Sequence, residues 1–306
     1  MNKIHLEWEE FSQQDWEDCL NKIPRSNAFH DWDMAEILTN EFNNGLERCL
    51  IKRGNKIIGL AQLYNVPKLK ILTHRKLIRG PIFSKPPMPD ELMDILLKIK
   101  QRKSLLKGYM TDLMPELPDS EAVNRELSKN GLHKVLRGYQ SIWIDLRKSE
   151  DDLRKDLHSK WRNQLSKAEH ENLDFMEDAN AEDWLLQHVT DQQNTIGYDA
   201  MPPAVYFKLP DSKKMVVSIQ HNQEPCAAVL IQLHGQSATY QLSFADETGK
   251  KLNAMNLLLW KSILHLKNRR INNFDLGGIE PEKNPGLARF KERMGGESFT
   301  LAGNFT

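Results

Sequence analysis

The chain has 306 residues, long for a single hydrophobic core, so two domains are expected. Hydrophobic residues make up 40% and charged residues 27%, which suits a soluble globular protein. Lys plus Arg (42) equals Asp plus Glu (42), so no overall field draws the molecule to nucleic acid or anionic lipid, and any such binding needs a local basic patch.

In chain order, residues 1–24 read as a short strand and a helix around Gln14–Leu20. Residues 27–42 (NAFHDWDMAEILTNEF) suit a helix, with Phe29, Met34, Ile37 and Leu38 on one face and Asn27 as cap. Two strand-like runs, 47–52 and 57–64, flank the hairpin signal Arg53-Gly54-Asn55. The next strand, Lys76–Phe83, is interrupted by Gly80-Pro81, which points to an edge or bulge. A helix at Asp90–Lys103, a strand at Tyr109–Leu113, a polar helix at 119–130 ending at Gly131, and an alternating strand at Ser141–Leu146 complete a mixed α/β unit. A helix over Ser149–Glu171 follows, with Leu153, Leu157, Trp161 and Leu165 as its apolar stripe. The second half repeats the order: helical segments near 181–194 and 203–209, strands at 214–220, 226–233 and 237–243, and a helix at Ala254–Asn268. Cys19, Cys49 and Cys226 are far apart, with no Cys/His cluster, so no metal site is expected and a reducing compartment fits. The first residues lack a hydrophobic signal core and no apolar run nears membrane-spanning length. A cytoplasmic location is expected, with any membrane association peripheral.

The most informative stretch is Phe274–Gly296, FDLGGIEPEKNPGLARFKERMGG. A strand step (273–276) is broken by Gly277-Gly278, a polar loop follows, and a short helix begins near Gly286. The ordered set FDLGGI, polar loop, FK and GG resembles the C-terminal signature of the FemABX family. Those enzymes transfer an amino acid from aminoacyl-tRNA to an amine on a peptidoglycan precursor. The resemblance extends to NAFHDWDMAEI, where His30 replaces the usual glutamine, to the Arg79-Gly80-Pro81 strand, and to Arg162, Asn163, Lys167 and Ala168. It also takes in a substrate-lining segment at Gly197-Tyr198 and Tyr206-Phe207. It implies two GNAT-like (acyl-CoA N-acyltransferase-like) α/β domains in tandem with mixed sheets and no coiled-coil insertion. The expected domains are 1–148 and 172–306, joined by the basic helix 149–171. Two departures leave the acceptor open: Leu38 and Met201 stand where family members hold a diphosphate with Lys and Arg, and Met114 replaces a carboxylate.

Aminoacyl transfer asks the protein to align ester and amine and to stabilise a tetrahedral oxyanion. Lys291 is the candidate stabiliser, with Phe290 holding its ammonium by a cation–π contact; a solvated surface lysine is the alternative. Asp275 either orients the donor amine or Lys291, or satisfies the Gly277-Gly278 turn. Asp112 is a candidate base, but strand alternation puts it on the face opposite Tyr109, and it is expected to face solvent. The substrate-binding candidates are Tyr109, Tyr206, Tyr240, Gly277 and Gly278. Lys155, His158, Arg162 and Lys167 are the tRNA candidates, against a solvated helix face. No cofactor is expected with aminoacyl-tRNA as donor. A rival reading is an N-acyltransferase using acetyl-CoA or another acyl-CoA. Residues 249–260 (GKKLNAMNLLLW) stand at the pyrophosphate position, with Gly249 but no glycines inside the turn. A third is a non-catalytic GNAT-like binding protein.

Overall fold

The computed structural model describes residues 3–69, 71–103, 105–177, 180–197 and 201–306. The chain divides into two compact units, one of residues 1–140 with 299–306 and one of residues 141–298. The elements run β1 (Ile4–Trp8), α1 (Gln13–Leu20), α2 (Trp32–Phe42), β2 (Gly45–Arg53), β3 (Lys56–Leu69), β4 (Leu72–Ile78), β5 (Ile82–Phe83), α3 (Pro89–Gln101), β6 (Tyr109–Met114), α4 (Glu121–Lys129) and β7 (Lys134–Leu136). They continue with β8 (Gln140–Asp145), α5 (Glu150–Asp156), α6 (Ser159–Ala168), β9 (Asp174–Met176), α7 (Asn180–Ile196), α8 (Ala204–Phe207), β10 (Lys214–His221), β11 (Glu224–His234) and β12 (Ser237–Ala245). The last are α9 (Glu247–Lys251), α10 (Ala254–Asn268), β13 (Asn273–Asp275), α11 (Pro285–Glu292), β14 (Glu297–Thr300) and β15 (Asn304–Phe305).

Each sheet is mixed and built to one plan. In the first, β1 to β4 form an antiparallel meander, α3 crosses over, and β6 returns parallel to β4. In the second, β9 to β12 form the meander, α9 and α10 cross over, and β13 returns parallel to β12. The strand beyond the parallel pair comes from the far half of the sequence in both cases. β15 lies between β6 and β7, and β8 lies between β13 and β14. This exchange puts the divide after Gln140, not at Lys148, and returns residues 299–306 to the first unit.

The expected helix 149–171 is two helices inside the second unit. Leu157 adopts extended backbone angles (φ −61°, ψ 132°), and the His158 side chain accepts the Lys160 amide to start α6 afresh. The apolar stripe is real across the break: Leu153, Leu157, Trp161 and Leu165 are all buried in the second unit's core with Phe274, Leu258 and Met294. The other face of that sheet packs Val216, Ala228 and Leu230 against α7 residues Ala181, Leu185 and Val189. The first unit centres on Leu63, Leu77, Ile95, Leu96, Leu113 and Phe305. Each such side chain contributes roughly 1.5–3 kcal/mol of burial. No helix among the described residues is long and apolar enough to cross a membrane.

Candidate active site

β12 and β13 run side by side through Ser237↔Asn273, Ala238↔Phe274 and Thr239↔Asp275, and their pairing then stops. Two local irregularities open the sheet at this point. A bulge between Leu230 and Ile231 pairs them with Leu242 and Tyr240, so Gln241 is an extra residue. Tyr240 thereby joins the core that holds Ile231 and Ala238, while Leu242 packs on the opposite face beside Leu230. On the partner strand, Gly277 turns the chain away with φ +74°. A Cβ at Gly277 would meet the Tyr240 carbonyl oxygen at 2.4 Å, so only glycine fits.

α11 closes over this opening. Asn284 caps it by accepting the Leu287 amide, and Pro285 supplies the first helical residue. Its buried residues are Ala288 and Lys291, three apart on one face, so the lysine occupies a position where an apolar residue is the norm. Lys291 is 5% exposed. Its Nζ donates to the Gly278 carbonyl at 3.1 Å and lies 4.9 Å from the centre of the Tyr240 ring. Gly278 O is its one acceptor among the described residues, which leaves two ammonium protons for a ligand. Burial pushes Lys291 down to a pKa of about 8, while the Asp275 carboxylate opposes the shift. Lys291 is therefore a cation at neutral pH and close to its titration.

Asp275 is fully buried. Its Oδ1 accepts the Gly277 amide at 2.9 Å and the Ser141 hydroxyl, and that hydroxyl lies 2.8 Å from the Gly277 carbonyl. Asp275 thus fixes the turn, and its charge favours the Lys291 ammonium without a direct hydrogen bond to it among the described residues. Ser141, at the start of β8, was missed by the sequence reading, since a lone serine at a strand end carries no signal. The Tyr240 hydroxyl pairs with Ser243, and burial raises its pKa to about 12.

The site therefore joins Lys291, Asp275, Gly277, Gly278 and Tyr240. Phe290 is not the ring beside the ammonium. Successive helical residues point about 100° apart, and Phe290 packs on Trp161 at 6.0 Å between ring centres. Tyr206 lies on α8 against the opposite face of the second sheet. Tyr198 is outside the described residues. Tyr109 belongs to the first unit, where Lys103 Nζ is 4.8 Å from its ring centre. Asp112 does not face solvent: it is 8% exposed, with His74 Nδ1 at 3.8 Å.

The four basic candidates divide by role. Arg162 turns back on the end of α5, its Nη1 donating toward the carbonyls of Arg154 (3.4 Å), Lys155 (3.4 Å) and Leu157 (3.5 Å). His158 caps α6. Lys155 is exposed with a loose 3.5 Å contact to Asp152, and Lys167 is exposed. Of the four, Lys155 and Lys167 are the exposed lysines.

Two mixed sheets of matching plan, each with a parallel return strand, define a tandem GNAT-like protein with an acyltransferase-type catalytic fold. The chain belongs to the FemAB family, whose model matches residues 150–306. Among solved structures, a crystal structure of FemX superposes with a TM-score of 0.80 at 11% identity, covering 98% of this chain and 96% of that one. The C-terminal domain of an Agrobacterium fabrum protein described as a lysylphosphatidylglycerol synthetase gives 0.58 at 14% identity, over 96% of this chain and 92% of the other. A tandem GNAT protein from the clavulanic acid biosynthesis pathway gives 0.51 at 8% identity, over 98% of both. At these identities the likeness is one of fold. No curated protein matches by sequence.

Proposed function

We propose that this protein is an aminoacyltransferase that moves an aminoacyl group from aminoacyl-tRNA to an amine of a peptidoglycan precursor or related cell-envelope acceptor. The observation that carries the reading is the buried Lys291 ammonium, with two protons unspent, at the opening between β12 and β13. Family membership supports the same reaction class. In the step proposed, a neutral amine attacks the ester carbonyl carbon and a C–N bond forms. Lys291 donates to the resulting oxyanion. The C–O bond to the tRNA ribose then breaks, and the ribose oxygen takes the proton that the attacking nitrogen loses. Lys155 and Lys167 meet tRNA phosphates.

An oxyanion donor of this kind is worth about 3 kcal/mol, or around a hundredfold in rate. Lys291→Met is expected to lose at least that much turnover while binding charged tRNA within a few-fold of the parent. Mass spectrometry of candidate acceptors, incubated with a mixed charged-tRNA pool, reads the transfer. Near-normal product formation by the variant would remove Lys291 from the mechanism.

An acyl-CoA donor is the second reading. The N-cap of α10, Asn253, is left-handed (φ 54°) and makes no side-chain cap, which leaves the Ala254 and Met255 amides for a pyrophosphate. Thermal stabilisation by acetyl-CoA but not by charged tRNA would favour it.

A further inference from the structure

We propose that the tip of the first unit formed by Ile71 and Leu106 is a docking surface for an anionic lipid bilayer. These are the two most exposed large hydrophobic residues among those described, at 84% and 100%. Ile71 sits where β3 turns into β4, after the pairs Pro67↔Thr73 and Leu69↔Leu72. Leu106 sits in the short 3-10 turn Leu105–Lys107 ahead of β6. Backbone contacts hold the two turns together. The Thr73 amide donates to the Gly108 carbonyl at 2.8 Å, and a Cβ on Gly108 would meet the Ile71 carbonyl oxygen at 2.3 Å. Two aliphatic side chains are thus presented to water from two turns joined by a backbone hydrogen bond.

The charge around the tip selects the partner. The segments 65–76 (NVPKLKILTHRK) and 101–111 (QRKSLLKGYMT) contain no Asp or Glu. Lys68 and Lys107 are exposed and make no ion pair among the described residues. The nearby carboxylate of Glu47 is already held by Arg75, Arg102 and Lys103. The chain as a whole is neutral, so this patch is a local departure. Aliphatic tips enter the acyl boundary while lysines beside them stay at the level of anionic headgroups. Nucleic-acid phosphates could be met by the same lysines but offer nothing to the two aliphatic tips, which a bilayer covers. The inference stands apart from the reaction proposed above.

The test is sedimentation of the full chain with vesicles of phosphatidylcholine, with and without phosphatidylglycerol, at low and raised salt. The parent is expected to bind the phosphatidylglycerol vesicles and to release them as salt rises. Ile71→Ser with Leu106→Ser lowers that partitioning about tenfold, and Lys68→Gln with Lys107→Gln flattens the salt dependence. Melting temperatures stay unchanged in both pairs, since these side chains are exposed. Absence of parent binding at low salt, or unchanged binding by both pairs, overturns the proposal. So does loss of tRNA binding by the lysine pair with vesicle binding intact, which would make the tip a nucleic-acid surface.

Discussion

At Lys291, burial and charge work against each other. The ammonium leaves water, reaches one carbonyl, and titrates near pH 8 in place of the ordinary 10.5. Between those values the unfolded chain holds a proton that the folded chain has lost, so stability rises with pH across that window. Below it the full cost of the buried cation is carried. At about 1.4 kcal/mol per unit, that cost is about 3 kcal/mol. Lys291→Met is therefore expected to raise unfolding stability at pH 7 by roughly 1–3 kcal/mol, with the gain vanishing above pH 10.5. Urea titrations at the two pH values check this, and a variant less stable than its parent at pH 7 would refute it. Asp275 pushes the other way, favouring the ammonium. Asp275→Asn keeps an oxygen for the Gly277 amide but removes the charge. It should lower the Lys291 pKa further and move the alkaline limb of the kcat/KM profile to lower pH. An unmoved limb would mean that another group sets it.

The opening between β12 and β13 depends on the Gly277 turn and the Gln241 bulge acting on adjacent strands. Gly277→Ala places a side chain in the left-handed region and drives its Cβ into the Tyr240 carbonyl. Strain alone costs roughly 1–3 kcal/mol, and displacing Tyr240 removes the ring beside the ammonium, so both melting temperature and turnover should fall. Gly278, exposed and without positive φ, tolerates alanine; equal losses in the two variants would count against this account of the turn. The elements here were largely legible. Helix α10 carries a long apolar pattern that ends in polar residues, and the FDLGG step needs a strand meeting paired glycines. The break at Leu157 was not legible, because four-residue apolar spacing continues through it. β7, β14 and β15 are two to four residues long, too short to show alternation. The ring partner of Lys291 was misread because sequence offers Phe290 next door, whereas a bulge in a distant strand delivers Tyr240.

For the whole molecule, the strand exchange means that neither half of the sequence holds a complete sheet. Phe305 is fully buried and pairs with Leu113, at the place in the first sheet that β8 takes in the second. Ala302 and Phe305 belong to the same core as Leu113, Leu127 and Leu132. Phe305→Ala should therefore cost about 3–5 kcal/mol, as large-to-small changes in a packed core do. The loss should fall on the first unit, so that urea unfolding separates into two steps where the parent shows fewer. A fragment of residues 1–148 loses β15 altogether and keeps β8 without β13 and β14 beside it. It leaves β6 with an open edge and an uncovered core, and it is expected to remain unfolded or to aggregate. Joining residues 299–306 to the end of 1–140 through a flexible linker restores the missing strand at high effective concentration and should recover a cooperative transition by circular dichroism. A fragment 1–148 that folds cooperatively by itself would show that the exchanged strand is dispensable.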